Sequence, residues 1–138
     1  MSIVVAYQTS SGDRLTLEEA AREAKLRGTG LTILHVSEMV DIDLLKDEEA
    51  SLRTELSSLL AEFRVDDVDW KLLLATWPDA AQAVLDQVAG TDVELLVIGA
   101  RRRSPVGKMI MGSVTQSLLL RADLPVLVVK AARASARP

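Results

Sequence analysis

Two nearly uninterrupted apolar runs, ELLVIG at residues 94–99 and PVLVVK at 125–130, constrain this chain more than any other feature. A strand with one wet face alternates apolar and polar residues. A run without alternation needs cover on both faces, which parallel strands flanked by helices provide. The rest of the sequence supplies such helices. Residues 3–7 read as a first strand, and Ser10, Ser11 or Asp13 can cap a helix with Leu17, Ala20, Ala21 and Ala24 on its apolar face, ended by Gly28 and Gly30. Residues 31–36 form a second strand, and residues 41–63 carry Leu45, Leu52, Leu56, Leu59 and Phe63 on one helical face. A third strand spans 70–75. Pro78 then opens a helix with Ala81, Val84, Leu85 and Val88 inward, closed by Gly90. A last helix, 113–122, joins the two apolar runs. Five strands joined by right-handed helical crossovers predict one three-layer α/β domain over residues 1–130, an open twisted parallel sheet with helices on both faces. Residues 131–138 carry no pattern and read as a flexible tail.

With 138 residues the chain can bury a core without covalent staples. It has no cysteine and a single histidine, His35, which excludes disulfides, thiolate metal centres, a cysteine nucleophile and a histidine-rich metal site. The first residues lack a basic segment ahead of an apolar one, and no stretch approaches ~18 apolar residues, so a cytoplasmic protein without a membrane partner is expected. Sixteen basic against twenty acidic side chains, a net charge of −4, argue against a nucleic-acid partner.

Ligands of open α/β sheets sit outside the carboxyl ends of the strands, where strand order reverses, so the loops after strands hold the functional candidates. The segment GARRRSPVGKMIMGSV, residues 99–114, is the most informative of them. Gly99 ends a buried strand where a ligand could approach the backbone closely, and Gly112 and Ser113 open the last helix, whose free N–H groups and dipole can hold a phosphate. The plain alternative is a turn residue and an N-cap. Arg101, Arg102, Arg103 and Lys108 add four positive charges within eight residues of an acidic protein, which favours an anion over a merely solvated loop. This is not a Walker loop, because Met109 follows Lys108 where a hydroxyl residue is required.

Taken together, residues 1–130 resemble the universal stress protein family. The resemblance lies in the succession of β-α units and in the phrases LTILHV, ELLVIGARRRSPVGK, GSVTQSLLL and ADLPVLVVK. The family's nucleotide signature G-x2-G-x9-G-[ST] is met by Gly99, Gly112 and Ser113, with Arg102 at the second glycine position. The resemblance implies strand order 3-2-1-4-5 and a homodimer formed through the last strand. It also implies binding of ATP, or of AMP or ADP, with Mg²⁺ carried on the phosphates. Nucleotide contacts would come from Ala6, Tyr7 and Gln8, where the family typically has an Asp at the position of Gln8, and from Val36 beside the adenine. Ile98, Gly99, Arg101, Arg102, Gly112, Ser113, Val114 and Thr115 would complete the site. The implied function is a stress-response sensor or regulator, not an enzyme. The alternative is a dimeric interaction module that has lost the nucleotide.

A remoter reading starts from the hydroxyl-rich segment after the first strand, YQTSSGD, and from Trp77, which together resemble a flavodoxin's flavin site. With 3% aromatic residues the chain has few rings to sandwich a flavin, and N-capping explains the hydroxyls. His35 reads as a packed, hydrogen-bonded histidine, and the H-x-G-H motif of nucleotidyltransferases is absent. Asp41, Asp43, Asp47, Glu48 and Glu49 read as the solvated start of the second helix, where negative charge complements the dipole.

Overall fold

Each apolar run marked by the sequence becomes a strand in the computed structural model, which describes residues 1–7, 11–37, 42–76, 80–89, 92–102, 109–110 and 113–130. In chain order these are β1 (Ser2–Ala6), α1 (Ser11–Arg27), β2 (Gly30–Ser37), α2 (Ile42–Glu62), β3 (Trp70–Thr76), α3 (Ala80–Val88), β4 (Val93–Arg102), β5 (Met109–Ile110), α4 (Ser113–Arg121) and β6 (Val126–Lys130). Five strands pair in parallel in the order β3-β2-β1-β4-β6, the 3-2-1-4-5 order expected when the last strand is counted fifth.

The central strand shows why the layers form. Ile3, Val4 and Val5 on β1 are all at most 2% exposed, so both faces of the sheet are covered. Ile3 and Val5 pack with Leu17, Ala20, Ala21 and Ala24 of α1 and with Leu52, Leu56, Leu60 and Phe63 from the region of α2. Val4 packs on the other side with Ala81 and Val84 of α3 and Leu118 of α4. Full burial of a leucine such as Leu56 is worth roughly 1.5–3 kcal/mol.

Both long helices stop in the same way. After α1 the chain turns through Gly28 at φ 67°, with Thr29 N–H donating to Ala24 and Gly28 N–H to Lys25. After α2 it turns through Arg64 at φ 63°, with Val65 N–H donating to Leu60 and Arg64 N–H to Ala61. This double bond pattern satisfies the last helical carbonyls and requires a left-handed residue, which costs glycine little and arginine more. Arg27 anchors the end of α1 to β4 by donating to Glu94 at 2.8 Å, and that hydrogen bond, with a second donated to Glu23, raises its pKa above the ordinary guanidinium value.

Three expectations need correction. Gly99 does not end a strand: β4 runs on to Arg102, and Arg101 and Arg102 pair antiparallel with Ile110 and Met109 of β5. Backbone groups beyond the sheet edge still need partners, and the returning chain supplies them without any apolar periodicity to announce it. Gly30 opens β2, leaving Gly28 as the helix stop. Asp13 lies inside α1, whose first residue is Ser11, so it is not the cap. Ser10, Asp41, Trp77, Pro78, Gly90 and the 131–138 tail lie outside the described residues.

Candidate functional site

The reversal of strand order brings the first half of the chain to the second. From β1 the chain moves outward to β2 and β3, whereas β4 leads to β6 on the opposite side, so β1 and β4 are neighbours whose connections diverge. Val5 stands opposite Val97, which puts Ala6 and Ile98 one residue further along the two strands, toward the same carboxyl edge. A crevice opens at such a divergence because helices leave on both sides of it.

The two ends of the signature segment meet here. Thr115, on the first turn of α4, directs its hydroxyl to the carbonyl oxygen of Gly99 on β4 at 3.3 Å, spanning sixteen residues of sequence. The N-terminal turn of α4, the positive end of its dipole, is thereby held at the carboxyl half of β4. Ile98 is buried, Gly99 and Ala6 are partly exposed, and Val114 packs against the core layer formed with α3. Val36 is paired with Ala75 near the end of β2. Ser113 is the first residue of α4, and the main chains of Arg101 and Arg102 lie in the β4–β5 ladder. Gln8, Arg103, Lys108 and Gly112 lie outside the described residues.

Tyr7 is fixed at three points. Its N–H donates to Leu34 at 2.9 Å, its carbonyl accepts from His35 Nδ1 at 3.0 Å, and its hydroxyl donates to Glu55 Oε2 at 2.8 Å. The ring is 2% exposed in the α1–α2 layer, so what Tyr7 can offer a ligand is main chain. His35 is the packed, hydrogen-bonded residue the sequence suggests, with Nε2 2.8 Å from Glu48 Oε2. Sequence reading missed Glu48 and Glu55 as partners. Their seven-residue spacing, which places them on one side of α2, was the available signal. Among the described residues no three histidine or acidic side chains cluster in a way that could hold a metal, and no helix is long and apolar enough to cross a membrane.

Comparison with known proteins agrees with this geometry. The chain is 36% identical over 128 residues to a universal stress protein of Mycolicibacterium smegmatis, covering 93% of this chain and 96% of that one. Its fold resembles the universal stress protein structure from Archaeoglobus fulgidus with a TM-score of 0.73 and 32% identity, over 94% of this chain and 98% of the other. A universal stress protein from the same organism, solved in complex with dAMP, gives a TM-score of 0.69 and 26% identity, again over 94% and 98%. The Universal stress protein family profile matches residues 1–130, and the chain belongs to that family.

Proposed function

We propose that this protein binds an adenine nucleotide at the carboxyl ends of β1 and β4 and acts as a stress-response sensor or regulator with little or no hydrolysis. ATP is the first choice, with Mg²⁺ carried on its phosphates, and AMP or ADP are the alternatives. The observation that carries the reading is the Thr115–Gly99 hydrogen bond at the strand-order reversal, which holds a helix N-terminus beside the partly exposed Gly99 in the carboxyl half of β4. The dAMP complex of the A. fulgidus relative adds support from within the family. In this reading Val36 lies beside the adenine, the chain at Ala6, Tyr7 and Gln8 meets the ribose, and Gly112, Ser113, Val114 and Thr115 carry the phosphates. Ile98 and Gly99 form the floor. Arg101 and Arg102 supply side-chain charge, Arg102 at the position where the family uses a glycine.

The protein would work in the cytoplasm as a homodimer joined through β6, which pairs with β4 on one side only among the described residues. An open edge of this kind invites a second strand. The competing interaction module shares the fold and the dimer but not the ligand. A flavodoxin-like carrier is disfavoured, because its sheet reverses between strands one and three, whereas β1 here lies between β2 and β4. Mass spectrometry of ligand released from denatured protein, followed by calorimetry with ATP, tests the reading. Absence of both a released nucleotide and a binding heat would leave the interaction module.

A further inference from the structure

The two halves of α2 are held to the protein by different forces. Residues 43–51 all keep some solvent exposure, whereas Leu52, Leu56, Leu59 and Leu60 are buried. Apolar packing therefore secures the C-terminal half, and the N-terminal half depends on polar contacts. Glu48 belongs to that half and reaches His35 at 2.8 Å. His35 Nδ1 in turn donates to the Tyr7 carbonyl. Two turns later Glu55 accepts from the Tyr7 hydroxyl. One face of α2 thus grips Tyr7 twice, once through a histidine ring and once directly. Tyr7 directly follows β1, at the carboxyl edge of the sheet where β1 and β4 lie side by side.

We propose that His35 and Glu48 are positioning residues, a latch joining the N-terminal half of α2 to Tyr7 so that occupancy of the crevice is transmitted to the outer face of that helix. The ligand's identity rests on the nucleotide reading above; the latch itself does not. Ordering the end of β1 by a ligand favours the closed latch, and the closed latch favours binding, because coupling between two sites is reciprocal. The proton arithmetic identifies the informative variants. Nδ1–H is committed to the Tyr7 carbonyl, so Nε2 is the ring atom left to meet the Glu48 carboxylate. Glutamine at position 48 can restore the contact by donating its amide N–H to a neutral Nε2, whereas alanine removes it.

Hydrogen–deuterium exchange on the full chain tests this, comparing wild type with Glu48→Ala and Glu48→Gln, with and without ATP and Mg²⁺. In the absence of nucleotide, Glu48→Ala should speed exchange across residues 46–51 about fivefold or more and leave 56–62 unchanged, while Glu48→Gln stays near wild type. Equal acceleration along the whole helix, or none, overturns the latch. With ATP bound, as verified by calorimetry, exchange across 46–51 should slow in wild type and in Glu48→Gln but not in Glu48→Ala. Bound ATP that leaves this segment unmoved in wild type overturns the coupling. If no binding heat appears, the nucleotide reading falls, and the ligand-free comparison still decides whether the latch exists.

Discussion

Thr115 donates its hydroxyl to the carbonyl oxygen of Gly99 at 3.3 Å, joining the first turn of α4 to β4 at the point where the strand order reverses. Thr115→Val keeps the shape and deletes the donor. It should lower stability by about 0.5–1.5 kcal/mol and weaken ATP binding, whereas Thr115→Ser should retain most of both. Denaturant titration and calorimetry on the two variants check this, and an indifferent Thr115→Val would detach the hydrogen bond from the site.

A ligand that binds only the folded state raises its stability by mass action, by about 2.7 kcal/mol at ~100 times the dissociation constant. ATP with Mg²⁺ should therefore raise the melting temperature in a concentration-dependent way. No shift at millimolar ATP speaks for the interaction module.

Arg102 stands where the family signature has glycine. If its guanidinium pairs with a phosphate, Arg102→Ala should weaken ATP by about 1.5–3 kcal/mol and adenosine much less. Calorimetry with ATP, AMP and adenosine reads the difference. Equal losses for all three ligands would remove phosphate recognition from this residue.

Thr16 is 1% exposed in α1, and its hydroxyl has no hydrogen-bond partner among the described residues. A buried polar group left unpaired costs about 1–3 kcal/mol, so the nearly isosteric Thr16→Val should stabilise the fold by about 1 kcal/mol. Thermal unfolding measures it, and a lowered melting temperature would mean that the hydroxyl is satisfied in solution.

Arg64 ends α2 in the left-handed region at φ 63°. Arg64→Gly relieves the Cβ clash at a position that bonds through its own main chain, its N–H donating to Ala61 and its carbonyl accepting from Lys25 Nζ at 3.4 Å, while Val65 N–H donates to Leu60. A gain of about 1 kcal/mol in urea unfolding is expected. A loss would show that the arginine side chain outweighs its backbone strain.

The fold was legible in the sequence because burial is written into local periodicity. Unbroken apolar runs at 94–99 and 125–130 required a parallel sheet covered on both faces, and Ile3, Val4 and Val5 meet that requirement with helices on either side. The β-α succession and the Gly99 to Ser113 spacing point to the family by themselves. Only the tertiary structure decided which polar groups meet. Thr115 finds Gly99 sixteen residues away, His35 finds Tyr7 and Glu48 at separations of 28 and 13, and Tyr7 finds Glu55 across 48 residues. No one-dimensional period encodes such pairings, since each depends on where two independently placed elements come to lie. The same holds for β4 beyond Gly99, whose partner is the chain's own return at Met109 and Ile110. The left-handed stop at Arg64 escaped for a different reason. The sequence signals such a stop by glycine, and here packing of Val65 and Leu60, both buried, fixes the turn on an arginine.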